Sequence, residues 1–493
     1  MSSRHALQGF GQAVGSAAHF IEPDSVDAML AQVQASAEAG ISVGLRGAGR
    51  SYGDAALNEN GLVIGTSRLN QVIAFDVSKG VIDVEPGVTV EDLWRTVLPH
   101  GFWPPVVPGT MRPTIGGCVA ANVHGKNNFA VGPIGDHVLE LELWTPDEGL
   151  LICNRQQHAD VFHAVIGGFG ALGITTRIKL SLKRIETGMV RVEALNVPNL
   201  DALFDTFESR LPGADYLVGW TDGFARGASL GRSVIHQANY LAAADCKAPA
   251  AQTLSTEFHG TPERFFGVIP KGMMWRLSRP LVNDLGMRLV NFGKFASSLL
   301  LDRGQTYDQG LVAFQFLLDY VPRWRDAYGV DGFIQVQPFV PRAAARQTFR
   351  RILLTCQEYG IVPYLVVFKR HRPDDFLISH ALDGYSLAMD FKVTPQNRRD
   401  LWRLGQAIGD MVVEGGGHFY FAKDAVVRPD QVEAAFGSAL ETFKSLKARL
   451  DGGGVLSSDL LRRVMPDLPD VRSGRPPVHE SPAPKRSAAS RRG

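Results

Sequence analysis

Only four cysteines occur in the 493 residues, at positions 118, 153, 246 and 356, and no two form a C-x-x-C pair. That spacing supports neither a disulfide framework nor a zinc site; reduced thiols and no bound metal are expected. Charge of one sign is scarce as well. Lys+Arg of 51 against Asp+Glu of 50 leaves a formal +1, so no bulk field draws the chain to nucleic acid. Long apolar runs are missing: the longest, such as Phe295 to Leu301, are core-sized and fall well short of the roughly 18 residues a spanning helix needs. Met1 to His19 holds no continuous apolar stretch of the kind a secretory signal requires. The expectation is therefore a cytoplasmic or peripheral membrane protein without signal peptide or transmembrane helix.

With 45% hydrophobic and 20% charged residues the composition is that of a folded globular protein, and its length asks for two domains or more. Residues 21–40 read as a helix capped at Asp24 or Ser25 and ended by Gly40. Short strands follow at 41–45, 61–65, 71–76 and 80–87, and Thr89 caps a helix through Leu98. This is an α+β pattern rather than the regular alternation of a doubly wound sheet. From about 185 to 410 the texture changes. Strands are expected at 190–195, 216–221, 332–340, 362–369 and 385–393, helices at 343–358 and 399–414, and a loop-rich middle from about 245 to 310. The last stretch, 466–493, is rich in proline and basic residues and reads as a disordered tail.

Glycine is gathered into clusters. Leu45-Arg46-Gly47-Ala48-Gly49-Arg50-Ser51-Tyr52-Gly53-Asp54 leaves the apolar run Ile41, Val43, Leu45. Its small residues let a ligand approach the backbone, and glycine's freedom at positive φ lets successive N–H groups turn inward as an anion nest. Arg46 and Arg50 add charge and Ser51 a hydroxyl. A diphosphate suits this loop, although a structural turn would look the same, and it carries neither the Walker ending nor G-x-G-x-x-G. A second cluster runs through Pro108-Gly109-Thr110 and Thr114-Ile115-Gly116-Gly117 to Asn122-Val123-His124-Gly125, and must pass close to another backbone or a flat ligand. A third, Gly167-Gly168-Phe169-Gly170-Ala171-Leu172-Gly173-Ile174-Thr175, precedes an alternating strand. Three such loops beside strands are hard to credit to turns alone.

Together these loops resemble the vanillyl-alcohol-oxidase/PCMH superfamily of FAD-dependent oxidoreductases, matching its R-G-x-G-x-S, P-G-T…G-G-x-x-x-x-N-x-H-G and G-G-x-G-x-L-G-I-x-T segments. The resemblance spans about residues 15 to 460. Gly49 to Asp54, His124 to Asn127, Gln335-Val336-Gln337 and Tyr420 to Asp424 bring it nearest the branch that oxidises a lipid-linked ribose. The implied fold is α+β in two domains: a discontinuous FAD domain of residues 1–185 and 411–465, and an antiparallel-sheet substrate domain of residues 186–410. By similarity FAD is lined by Leu45, Arg46, Gly47, Ala48, Gly49, Arg50, Ser51, Tyr52, Gly53, Asp54, Ala55, Gly109, Thr114, Ile115, Gly116, Gly117, Ala121, Asn122, Val123, His124, Ile174 and Tyr420. Many relatives link FAD covalently through a histidine where this chain has Arg50. Arginine stays protonated and cannot be that nucleophile, so non-covalent FAD is expected. Where mycobacterial-type members carry a cysteine open to covalent inhibitors, this chain has Ala388.

Oxidising a secondary alcohol with a flavin requires a group for the hydroxyl proton and groups that position the substrate. Lys423, in Tyr420-Phe421-Ala422-Lys423, sits among apolar residues and is expected to lose basicity on burial. It serves either as base or as a fixed charge. His124 is open between a structural hydrogen bond and proton transfer, Tyr52 is a second hydroxyl partner, and Gln335 and Gln337 lie at i and i+2 on one strand face. Lys369, at the end of its own strand, is a further candidate. The implied reaction is oxidation of the ribose C2 hydroxyl of a polyprenyl-phosphoryl ribose to the 2-keto sugar, with a short-chain reductase completing epimerisation to arabinose and oxygen or a quinone taking the electrons. An alditol or aldonolactone oxidase acting on a free polyol is the alternative, and a non-enzymatic FAD-fold protein a third reading. The apolar region from about 261 to 301 (Phe265, Phe266, Met273, Met274, Trp275, Leu300) covers a lipid chain, lies on a membrane or is ordinary core.

Overall fold

The structure, a computed structural model, describes residues 4–260, 264–265, 269–302 and 304–472. Its first sheet has four strands in the order Arg4–Gln8, Gly15–Ile21, Leu62–Gly65, Val43–Arg46. The last three are parallel, because the Val26–Glu38 helix crosses over between two of them. Ser25 caps that helix by accepting from the Ala28 amide. Ser25 is one of the two caps expected, and Ile21 before it ends a strand by pairing with Ile64. The second sheet is antiparallel, in the order Val72–Asp76, Val81–Val84, Ile174–Ser181, Val138–Thr145, Gly149–Cys153.

Residues 189–419 supply a nine-stranded antiparallel sheet. At its centre Leu365–His371 pairs with Gly384–Lys392, and the helices Leu200–Arg210 and Arg342–Glu358 cover one face. Phe204, Phe207 and Phe349 of these helices pack edge-on against Phe368, and Phe204 also meets Tyr385. Side chains alternate along a strand. With Phe368 and Tyr385 turned to the helices, Lys369, Ser386, Ala388 and Asp390 point out of the opposite face.

The chain then returns. After the Arg398–Glu414 helix, the helices Ser438–Leu450 and Asp459–Val464 pack back on the N-terminal sheets. Val43 donates to Val455 O (2.7 Å), and Ser457 donates to Val43 O (2.9 Å). The Lys447 ammonium, fully buried, donates to Ala171 O (2.8 Å), to Leu456 O (2.7 Å) and to Asp451 (2.5 Å). The third glycine cluster is thereby tied to the C-terminal segment.

Three expectations are corrected. The region 245–310 contains a 14-residue helix, Asp284–Ser297, capped by Asn283; its glycines and outward-facing apolar residues hide a helical pattern. The expected strand 332–340 is two strands, Phe333–Val336 and Pro338–Pro341, broken at Gln337. Residues 466–472 are packed rather than a tail: Asp470 accepts from Ser457 (2.9 Å), and Arg472 donates to Glu59 O. Residues 473–493, and Phe266 of the apolar region, lie outside the described residues. Among the described residues no helix is long and apolar enough to cross a membrane.

Candidate active site

The loop 47–51 behaves as a nest must. The amides of Gly47, Ala48, Gly49, Arg50 and Ser51 donate to no acceptor among the described residues. Gly49 holds φ +63°, and a Cβ there would lie 2.4 Å from the Arg46 guanidinium. A Cβ on Gly47 would meet the Thr114 hydroxyl at 2.2 Å, so the first two glycine clusters touch. Arg46 donates to Ala56 O and Gln8 O, both at 3.1 Å. Arg50 lies over the Phe10 ring at 5.3 Å, its Nε buried and without a hydrogen-bond partner among the described residues. Five free amides beside two guanidiniums fit the diphosphate of FAD.

The nest is anchored from behind. Asp54 accepts from Arg463 Nε and Nη2 at 2.7 and 2.9 Å, and Arg463 also pairs with Asp424 at 2.8 Å. One guanidinium thus joins the glycine loop to the residue following Lys423. Tyr52 N donates to Ala422 O (2.8 Å), closing the same junction.

Not every expected FAD-lining side chain faces the nest. Asp54 is spent on Arg463, and Ala55 and Ala121 belong to the core. Asn122, at φ +44°, gives its amide to Asp374 (2.9 Å) and Ser379 (3.1 Å) and accepts from Gly135 N (3.1 Å). Ile174 is buried in the small cluster around Val43, with Leu45 packed against it. Thr114 caps the Ile115–Ala120 helix, so Gly116 and Gly117 form its first turn. A Cβ on Gly116 would strike Pro86 at 2.6 Å. The Gly109 carbonyl accepts from Leu318 N (3.3 Å), and Val123 N bonds Cys118 O (2.9 Å).

The expected substrate residues do converge, between the large sheet and the nest. Lys423 Nζ sits 3.5 Å over the Tyr52 ring, which is wedged between Phe10 and Phe333. Facing it are Gln335, hydrogen-bonded to Asp390, and Lys369, which pairs in register with Ser386. Gln337 donates to Ser386 Oγ and contacts His124 Nε2, both at 3.1 Å. His124 also packs at 5.2 Å from the rings of His380 and Tyr420 and 4.9 Å from that of His371.

This wall is short of partners. Among the described residues Asp390 Oδ2, Gln335 Oε1, His124 Nδ1 and His380 Nε2 are buried without a hydrogen bond, and the ammonium groups of Lys369 and Lys423 have no hydrogen-bond acceptor. Native interiors rarely leave so many polar atoms unpaired, each costing about 1–3 kcal/mol. A polar ligand is the simplest explanation.

Burial dominates the titration of the wall. It pushes Lys369 down to about 8. It lowers Lys423, against the opposing pull of the Asp390 carboxylate, and raises Asp390. Tyr52 is driven up by burial first and by Asp390 second. His124 is held well below the usual histidine range by burial and by Lys369, and His380 falls to about 3. The histidines are therefore neutral, while Lys423 and Asp390 are both pushed toward their uncharged forms.

Asp390, Ser386, His371, His380 and Arg463 escaped the reading of the sequence. For the first two a signal existed: Ser386, Ala388 and Asp390 alternate with Leu387 and Met389, a polar face on a period of two. Arg463 had none, since its partner is 409 residues away.

Comparison with known proteins agrees with this geometry. A model of an FAD binding domain matches residues 17–154, which hold the nest, the Thr114 cap and His124. Over 471 residues the chain is 29% identical to the decaprenylphosphoryl-beta-D-ribose oxidase of Mycolicibacterium smegmatis, covering 93% of this chain and 97% of that one. It is 26% identical over 400 residues to an uncharacterized protein of Streptomyces coelicolor, covering 76% and 100%. Cytokinin dehydrogenase 7 of Oryza sativa is 29% identical over 194 residues, about a third of each chain (37% and 36%). With its nest, its matched FAD-binding segment and its two-domain α+β fold, the chain carries an FAD binding domain and is similar over most of its length to an oxidase, as an FAD-dependent oxidoreductase would be.

Proposed function

We propose that this protein oxidises the C2 hydroxyl of a polyprenyl-phosphoryl ribose, or a similar glycolipid, to the 2-keto sugar. This is the first half of an epimerisation to arabinose, with a short-chain reductase acting next and oxygen or a quinone as final electron acceptor. The observation that carries the reading is the wall itself: Gln335, Lys369 and Asp390 opposite Lys423 and Tyr52 offer donors and acceptors on two sides of a cleft, as a ring with several hydroxyls demands. The name of the M. smegmatis relative points the same way.

FAD, when bound, accepts the hydride. The chain's own groups do the rest. Burial keeps Lys423 short of a proton, so it takes one from the substrate hydroxyl, and the Asp390 carboxylate stabilises the ammonium formed. Gln335, Tyr52 and Lys369 orient the sugar. Loss of the hydroxyl proton and loss of the C–H hydride are then aligned.

A helix beside the cleft supports the lipid part of this reading. The Asp284–Ser297 helix packs on the sheet through Asn291, which accepts from Trp220 Nε1 (2.8 Å) and donates to Tyr364 O (3.2 Å). Trp220 pairs with Val367, and Val367 with Ala388, so the helix borders the substrate face. Its outer side exposes Leu285 (69%), Leu289 (60%) and Phe292, and the turns before it expose Leu277 and Leu281. Residues 271–297 hold five basic side chains and one acidic, and Arg226 and Arg288 flank a surface groove with Leu289 and Phe292. An apolar ridge framed by cations suits an anionic bilayer. Liposomes rich in anionic lipid should therefore float the protein. Leu285→Glu with Leu289→Glu should weaken that binding at least tenfold, as loss of two buried leucines implies; unchanged flotation would remove the membrane from the account.

The deciding experiment is anaerobic loss of the visible flavin band with farnesyl- or decaprenyl-phosphoryl ribose, compared with xylitol and a galactonolactone. Only the lipid-linked sugars should bleach it. Bleaching by the free polyol alone would make this an alditol or aldonolactone oxidase, and no bleaching by any would leave an FAD-fold protein without this activity. Acid precipitation should release the flavin into the supernatant, since Arg50 occupies the position of the linking histidine. Yellow colour in the pellet would contradict that.

A further inference from the structure

Four side chains behind His124 form one hydrogen-bond chain whose polarity can be read from a single fixed donor. Arg372 N–H approaches Asn128 Oδ1 at 3.3 Å, and a backbone amide can only donate, so the Asn128 atom there is the carbonyl oxygen. His371 Nδ1 meets the same oxygen at 3.0 Å and must carry the proton. Its Nε2 is therefore the acceptor, and takes the Ser386 hydroxyl hydrogen across 2.7 Å. Ser386 oxygen, having given its proton away, accepts from Gln337 Nε2 at 3.1 Å. The Gln337 amide cannot be turned round, and its second N–H points at His124 Nε2, also 3.1 Å away. That nitrogen accepts.

We infer that Asn128, His371, Ser386 and Gln337 are positioning residues that hold His124 as the Nδ1–H tautomer, so that it offers a hydrogen-bond donor to an acceptor atom of the bound flavin. His124 Nδ1 is buried and has no hydrogen-bond partner among the described residues, as a donor kept for a ligand would be. Both histidines are neutral, because burial holds each well below its ordinary range, and a neutral ring is what gives the chain a direction. His371 Nδ1 and His124 Nδ1 carry the protons in the one assignment that leaves every link a donor–acceptor pair. The inference rests on FAD occupying this site and deepens that reading by stating which His124 nitrogen serves it.

Long-range 1H–15N spectra of the histidine-labelled full chain, with and without FAD, test it. His124 should show the Nδ1–H pattern, and its Nδ1 resonance should move when FAD binds and stay put when substrate is added to the holoenzyme. In Ser386→Ala the Gln337 amide is released, the Nε2–H form of His124 should appear, and FAD should bind roughly tenfold more weakly, the size of one lost hydrogen bond. Ser386→Thr, which keeps the hydroxyl, should retain both properties. An Nε2–H pattern for His124 in the unaltered protein, an Nδ1 resonance indifferent to FAD, or an unchanged tautomer in Ser386→Ala would overturn the inference. Should Ser386→Ala fail to fold, the spectrum of the unaltered chain still decides. A chain that never binds FAD would instead overturn the reading beneath it.

Discussion

Replacing Lys423 with alanine should slow flavin reduction by the lipid-linked sugar about 10²–10⁴-fold, the range lost with a general base, while FAD stays bound. Nζ rests 3.5 Å above the Tyr52 ring, reached by a short turn whose backbone is held by Tyr52 N and by the Arg463–Asp424 pair. Such support places the amine without spending its protons on other acceptors. The pH dependence reports its charge state. A base must be neutral to act, so the rate of reduction should rise with pH along an acid limb whose midpoint lies below the 10.5 of an ordinary lysine. The Lys423→Ala variant should lose that limb. A rate that falls over the same range would make the ammonium the working form and Lys423 a fixed charge. Normal reduction by Lys423→Ala would remove the residue from the chemistry.

Replacing Arg463 with methionine should destabilise the protein by about 3–5 kcal/mol, the cost of leaving buried partners uncompensated. Arg463 keeps 24% of its side chain exposed while Asp54 and Asp424 keep 12% and 6%, which places the expected value at the lower end. The loss should not be confined to stability. Without the guanidinium two carboxylates face each other, one behind the nest and one beside Lys423, and repulsion would part the elements that hold FAD. Backbone packing there has no slack, since a Cβ on Gly53 would lie 1.8 Å from Asp424 O. Denaturant unfolding and FAD retention on gel filtration measure the two effects. A variant with unchanged stability would show that the ion cluster is solvated and contributes little. Loss of stability with full FAD retention would separate the anchor from the nest.

The two halves of the site differ in how they are written. The nest is local: its requirement is backbone that can turn at positive φ and come close to a ligand, and Gly47, Ala48 and Gly49 state this within a few residues. The cap at Thr114 and the lysine after an apolar turn are likewise short-range. Arg50 stands at a position legible only by resemblance, yet its chemistry as a non-nucleophile follows from the residue itself. Gln335 and Gln337 were legible as a pair, though the break at Gln337 was not, because it comes from the Pro338–Pro341 strand joining both Gly384–Lys392 and His418–Phe419.

Asp390, His371, Ser386 and Arg463 belong to the other half. Their roles depend on the register of Leu365–His371 against Gly384–Lys392, and a slip of one residue would send Lys369, Ser386 and Asp390 to the helix-covered face. No local pattern specifies that register. It is set by Phe368 and Tyr385 packing under Phe204, Phe207 and Phe349, residues up to about 180 positions away in the chain. The exposed ridge on Asp284–Ser297 is also a tertiary fact, since leucines at that spacing face a core or a membrane equally well until Asn291 shows which side of the helix is buried. Backbone chemistry near the cofactor was therefore readable from neighbouring residues, whereas side chains that meet across the cleft were assigned only by folding, because hydrophobic packing elsewhere decides which way each strand faces.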